Sequence, residues 1–126
     1  MVDQPRMSLS GVVLDAPNPR ALADFYRQLL GWTVRQDSET WVSLIPPGGG
    51  TALSFQFEPH YVRPTWPSTT DHQQMMLHLD VEVDDLDAAG AYAAGLGATL
   101  AEFQPQEDVR VYLDPAGHPF CLWIRS

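Results

Sequence analysis

The sequence predicts an α+β fold made of two tandem units, each running strand–helix–strand–strand–strand. Three observations predict it. Hydrophobic spacing switches between strand and helix periods in the same order in both halves of the chain. Each half carries a polar helix start (Asn18-Pro19, then Asp84-Asp85) and a helix-ending glycine (Gly31, then Gly97). Setting Gly11 against His78, an offset of 67 positions, puts Asn18 on Asp85 and Leu22 on Ala89, with the two glycines one residue off. Residue identity between the halves is low, so what repeats is element order and punctuation.

In chain order, SLSGVVLDA (8–16) reads as a strand that Pro17 ends. Asn18 is an N-cap and Pro19 suits the first helical position. Leu22, Phe25, Tyr26, Leu29 and Leu30 then recur at helical spacing until Gly31. Trp32–Arg35, Thr40–Ile45 and Ala52–Phe57 read as strands, separated by Asp37-Ser38 and by Pro46-Pro47-Gly48-Gly49-Gly50, with Trp32 packing as core. Residues 59–73 form an irregular connection with three prolines in its neighbourhood (Pro59, Pro64, Pro67), and it carries Tyr61 and Trp66. Gln74–Val83 is the next strand, and Asp84–Gly95 the second helix, with Leu86, Ala89, Ala93 and Leu96 on one face. Thr99–Phe103, Val109–Leu113 and Phe120–Ile124 close the pattern, the last after the turn Asp114-Pro115-Ala116-Gly117. The units therefore run about 8–58 and 74–126; neither holds a core large enough to stand alone, so residues 1–126 are expected to pack as one domain.

Composition narrows the function. Seven arginines and no lysine stand against sixteen acidic residues, a formal charge of −9, so neither nucleic acid nor an anionic membrane is an expected partner. The same charge favours neutral or cationic small ligands. No apolar run reaches membrane-spanning length, and Met1–Ser10 lacks the pattern of a secretory leader. The lone Cys121 excludes an internal disulfide and CxxC zinc sites, and suits a reducing cytoplasm. P-loop, dinucleotide and nucleophile-elbow signatures are missing, and Gly48-Gly49-Gly50 precedes a strand rather than a phosphate-binding helix.

Three stretches carry a family resemblance: VVLDAPNPRALADFYRQLLGW (12–32), LHLDVEVDDLDAAGAYAAGLGA (77–98) and VYLDPAGHPFCLW (111–123). With them the chain resembles the vicinal oxygen chelate superfamily of glyoxalase I, extradiol dioxygenases, fosfomycin-resistance transferases and bleomycin-binding proteins, and above all its small actinobacterial glyoxalase-like members. The D-P-x-G turn before the last strand is the most specific cue. The resemblance implies two βαβββ modules, each curled into a half-barrel, forming one cavity-bearing domain. It also implies a homodimer, in some relatives with modules exchanged between chains. In metal-using relatives, side chains from the first and last strand of each module hold a divalent ion.

Mapped residue by residue, that metal set is degenerate. The four positions match Gly11, Gln56, His78 and Cys121, with Ser54 on the same strand face as Gln56. Glycine offers no donor, and no carboxylate is supplied for a hard cation. No cofactor is therefore expected, although His78 and Cys121 leave room for zinc, nickel, iron or manganese. Strand parity puts His78 and Asp80 toward the cavity and Leu77, Leu79 and Val81 toward the helix, so Asp80 can orient the His78 ring. His118 reads as a solvated turn residue, and His60 and His72 carry no arguable role.

Trp41, Trp66, Tyr112 and Trp123 are candidates for a wall on which a flat ligand stacks, with Gln56, His78, Asp80, Cys121 and Arg110 as polar partners. The expected function is metal-free binding of an aromatic or cationic small molecule, as in bleomycin-binding relatives. Two alternatives stay open: a metal-dependent lyase, isomerase or dioxygenase, and a metal-free enzyme with His78 as catalytic general base.

Overall fold

The computed structural model describes residues 4–125. Its elements run β1 (Gly11–Ala16), α1 (Pro19–Leu30), β2 (Thr33–Asp37), β3 (Trp41–Ile45), β4 (Ala52–Phe57), β5 (Leu79–Glu82), α2 (Leu86–Leu96), β6 (Thr99–Leu100), β7 (Val109–Leu113) and β8 (Pro119–Trp123). They make two open four-stranded sheets, β1-β4-β3-β2 and β5-β8-β7-β6, with the same internal order. In each sheet the first strand pairs in parallel with the last, and the other pairings are antiparallel. This is the predicted α+β pair of βαβββ modules.

Both helices use the expected caps, with α2 running over Leu86–Leu96 rather than Asp84–Gly95. Asn18 Oδ1 accepts the N–H of Ala21 (3.1 Å) and Asp85 Oδ1 that of Ala88 (3.0 Å). Gly31 and Gly97 close the helices in the left-handed region, with φ of 70° and 119°. Leu22, Phe25 and Tyr26 on α1 are fully buried, and Ala93 is the buried centre of the α2 face flanked by Leu86, Ala89 and Leu96. Trp32 packs against the same core.

Four strands depart from expectation: β1, expected over 8–16, begins only at Gly11, and three others depart for a backbone reason. The strand expected at Gln74–Val83 begins only at Leu79, opposite Phe120. The next partner position, Pro119, has no N–H to extend the ladder, so residues 74–78 leave the sheet. The strand expected at Thr99–Phe103 ends at Leu100. Beyond it the Gln104 side chain replaces the ladder: its Oε1 accepts the Val111 N–H (2.8 Å) and its Nε2 donates to Val111 O (2.9 Å). The strand expected at Trp32–Arg35 runs instead from Thr33 to Asp37, with a bulge between Val34 and Gln36.

The core sits between the modules. Tyr26 stacks on Phe55 of β4 (5.6 Å between ring centroids) and meets Phe120 of β8 edge-on (6.0 Å). Phe25 also meets Phe120 (5.8 Å). The modules thus join through α1, α2 and β8, and among the described residues the two sheets share no strand-to-strand contact. Consequently neither sheet covers the face of the other that lies opposite the helices. No helix among these residues is long and apolar enough to cross a membrane.

Candidate functional site

On the open face of the second sheet, side-chain alternation sorts the residues cleanly. Leu79 and Val81 turn toward the core, while Asp80 and Glu82 turn out beside their β8 partners Cys121 and Trp123. His78, one residue before β5, reaches back over this face. Its Nδ1 lies 3.0 Å from Asp80 Oδ1 and 3.8 Å from Cys121 Sγ. The predicted trio His78, Asp80 and Cys121 therefore does come together, with ligand atoms all within 4.8 Å of one another. His78 and Asp80 keep 41% and 57% of their side-chain surface, so the trio faces solvent within a single chain. The Cys121 thiol is pushed up to about 11, by partial burial first and then by the Asp80 carboxylate that it hydrogen-bonds. It is a neutral S–H at ordinary pH rather than a nucleophilic thiolate.

Trp123 stands two residues along from Cys121, on the same face as expected. The Arg125 guanidinium lies over its ring, 5.5 Å from the centroid, and also donates to Glu82 Oε1 at 2.8 Å. An aromatic face and a carboxylate thus hold a cation together.

The other predicted residues lie elsewhere. Gln56 pairs with Trp41 across β4 and β3 on the first sheet. Its Nε2 donates to Asp15 Oδ1 (3.3 Å), and Trp41 Nε1 donates to Gln36 Oε1 (2.9 Å). Trp66 leaves both faces: its Nε1 donates to Phe103 O (3.1 Å) in the loop after β6. Tyr112 corrects the expectation of a stacking wall. It shares parity with Phe120, opposite to Cys121, and is buried against α2 where Gly90 leaves room for its ring. Arg110 spends its guanidinium on the carbonyls of Gln106, Glu107 and Val109.

Sequence reasoning missed a buried polar cluster. Asp114, fully enclosed, accepts the Tyr26 hydroxyl (2.8 Å) and the backbone N–H groups of Ala116 (2.9 Å) and His118 (3.0 Å). His118, read as a solvated turn residue, in fact places Nδ1 2.9 Å from Asp114 Oδ2 and keeps only 15% of its side-chain surface. It borders a pocket of about 360 Å³ at the module junction, together with Val13, Asp15, Glu58, Tyr61 and Leu77. An aspartate opening a turn with a histidine four residues on was the available signal.

The comparisons with known proteins agree with this architecture. The glyoxalase-like domain family matches residues 11–123. The chain belongs to that family. Among solved structures, this glyoxalase-like chain is similar to a glyoxalase/bleomycin resistance protein/dioxygenase family enzyme from Burkholderia phytofirmans (19% identity, 94% of this chain and 98% of that one, TM-score 0.72). It is similar also to a protein from Agrobacterium tumefaciens (20% identity, 96% and 99% covered, TM-score 0.71). A glyoxalase/bleomycin resistance protein from Albidiferax ferrireducens is a third (18% identity, 93% and 98% covered, TM-score 0.63). At such identities the likeness shows the fold alone. No functionally curated protein matches the chain.

The glyoxalase-like frame lets the metal positions be tested. Val13 pairs with Ser54 as Asp80 pairs with Cys121, so the counterpart of Cys121 is Ser54, and Gln56 is that of Trp123. This corrects the expected match of Gln56 to the last-strand ligand. Ser54 is buried and its hydroxyl donates to Ser43 Oγ (3.0 Å), while Gly11 faces Ala52. At these positions the first module supplies only the Ser54 hydroxyl, buried and already engaged with Ser43. The second supplies nitrogen, sulfur and one carboxylate oxygen, a set that fits a zinc-type ion held by His78, Asp80 and Cys121 and does not fit magnesium. Such an ion would act as a Lewis acid on a bound oxygen, and would have to displace the Cys121 proton to bind.

Proposed function

We propose that this glyoxalase-like protein binds an aromatic or cationic small molecule on the open face of its second sheet, without needing a metal. The observation that carries this reading is Trp123 with Glu82 beside it, already holding a guanidinium. A planar cation meets the same ring and carboxylate when it displaces Arg125, whose side chain is 72% exposed and free to swing away. Asp80 and the overall charge of −9 favour the same ligand class. The ring face gives flat molecules a stacking surface of roughly 0.5–1.5 kcal/mol beyond burial.

Closing this face calls for a second copy of the chain. The two sheets do not meet within one chain, and His78 and Asp80 stand in solvent. Both facts support a homodimer in which the second module of one protomer faces the first module of its partner, bringing Gln56 and Trp41 opposite His78. The single cysteine, kept as a thiol, supports a cytoplasmic setting.

The test is a fluorescence titration with proflavine, a flat aromatic cation. Saturable binding that weakens several-fold in Trp123→Ala is expected. No saturation, or an unchanged affinity in the variant, would count against the reading.

The His78–Asp80–Cys121 cluster favours a second reading, a zinc-type metal centre of the lyase, isomerase or dioxygenase kind. Near-stoichiometric metal in untagged protein purified without chelator would establish it over the first. The Asp80 contact also supports a reading of His78 as a general base. Turnover that resists chelator and vanishes in His78→Ala would identify that role.

A further inference from the structure

One cation is already seated on the second sheet, and its geometry is specific. Glu82 of β5 and Trp123 of β8 are register partners in the parallel ladder, so the sheet fixes the spacing between carboxylate and indole ring. β8 ends at Trp123, and the Ile124 N–H donates to Asp108 O at 3.1 Å. Strand parity then leaves Arg125 on the same face as Trp123. Its guanidinium turns back over the ring, 5.5 Å from the centroid. Two of its nitrogens face one carboxylate: Nη2 donates to Glu82 Oε1 at 2.8 Å and Nε to Oε2 at 3.4 Å. A single planar ion thus meets the ring with its face and both oxygens with its edge.

This arrangement discriminates among cations. Nε–H and Nη2–H share one edge of the guanidinium plane and match the two oxygens of a carboxylate. An amidinium ion offers the same pair. An ammonium ion is a compact point charge with tetrahedral donors, and it does not present two parallel N–H bonds while lying flat on a ring. A quaternary ammonium ion has the charge for the ring and no donor for Glu82.

Arg125 also sets a threshold. It is tethered two residues from Trp123, so its effective concentration at the seat is high. A free ion that makes only the contacts of Arg125 does not replace it. A ligand has to bring a further group, and the same face continues to the Asp80–Cys121 pair, where Cys121 is half-buried. The Arg125 side chain is exposed, and among the described residues its hydrogen bonds go to Glu82 alone, so it leaves without disturbing the core.

We infer that the seat formed by Glu82 and Trp123 selects guanidinium and amidinium ions that carry an aromatic or apolar group, and that Arg125 is a built-in competitor for it. This selectivity rests on the proposed binding at the same sheet face and narrows its ligand to one class of cation.

The test is calorimetric titration of the full chain with benzylguanidinium chloride, with benzylammonium and benzyltrimethylammonium chlorides as matched cations. Saturable binding of benzylguanidinium is expected, with both ammonium ions about threefold or more weaker. Arg125→Gln tightens benzylguanidinium about two- to fivefold, the worth of an exposed ion pair. Glu82→Gln brings the affinities for benzylguanidinium and benzylammonium together, where loss of charge alone would weaken both alike. Equal binding of benzylammonium by the unaltered chain, or a preference that survives Glu82→Gln, would overturn the selectivity. An unchanged affinity in Arg125→Gln would overturn the competitor. No saturable binding of benzylguanidinium to the unaltered chain or to Arg125→Gln would overturn the whole proposal. Proflavine binding that still depends on Trp123 would then leave the broader reading standing, and its absence would remove that reading too.

Discussion

Tyr26 of the first helix donates its hydroxyl to Asp114 of the second module at 2.8 Å, across 88 positions of sequence. This is a hydrogen bond to a fully buried carboxylate at the seam where the aromatic core of the two modules meets. Tyr26→Phe leaves Asp114 one donor short and is expected to cost about 1.5–3 kcal/mol in urea unfolding. Asp114→Ala strips partners from Tyr26, His118 and two backbone groups at once, and is expected to lose about 3–5 kcal/mol. If both changes proved neutral, the seam would not be held by this network.

Gly90 on α2 exists to admit Tyr112. A Cβ there would overlap the Tyr112 hydroxyl and sit 3.0 Å from the ring carbon that bears it. Gly90→Ala is expected to destabilise by about 1–3 kcal/mol through overpacking. In a Tyr112→Phe background the same change should cost less, because the overlapping oxygen is gone. A double-mutant cycle by thermal unfolding measures the coupling, and strict additivity would contradict the packing described.

Alkaline pH should unfold the protein early. Burial raises Cys121 to about 11 and also raises Tyr26, Tyr61 and Tyr112. A group whose folded value is raised gives stability that is complete below its unfolded value and lost as pH climbs through the folded one. For Cys121 the loss runs from about pH 8.5 to about 11, and the tyrosines extend it upward from about 10. Melting temperature is expected to hold flat to pH 8 and fall beyond it.

The same thiol should be slow to react. Iodoacetamide modification of Cys121 at neutral pH is expected to lag well behind a free cysteine, because little thiolate is present. Asp80→Asn removes a charge that raises the thiol and should speed the reaction several-fold. An unchanged rate would mean that Asp80 does not act on Cys121.

Much of this fold is legible along the chain because its signals are local. Asn18, Asp85, Gly31 and Gly97 act within one helical turn, and the alternation of Leu79, Asp80 and Val81 needs only strand parity. The trio His78, Asp80 and Cys121 was readable for the same reason. What was not legible depends on pairing between distant segments. The Val13–Ser54 register, which moves the ligand position from Gln56 to Ser54, follows from a parallel ladder over a loop of unknown path. Tyr112 faces the core because β7 pairs with β8 in one register and not its neighbour. His118 looked solvated because Tyr26 and Tyr61, which enclose its local Asp114 contact, come from distant parts of the chain.

One measurement addresses the central claim most directly: thermal unfolding of chelator-treated protein against a panel of aromatic and cationic compounds. The account predicts that at least one such compound raises the melting temperature by several degrees with no metal added, corresponding to ~2.7 kcal/mol at about a hundredfold excess over Kd. A panel that leaves the transition unmoved, or a rise that appears only after zinc is restored, would contradict it.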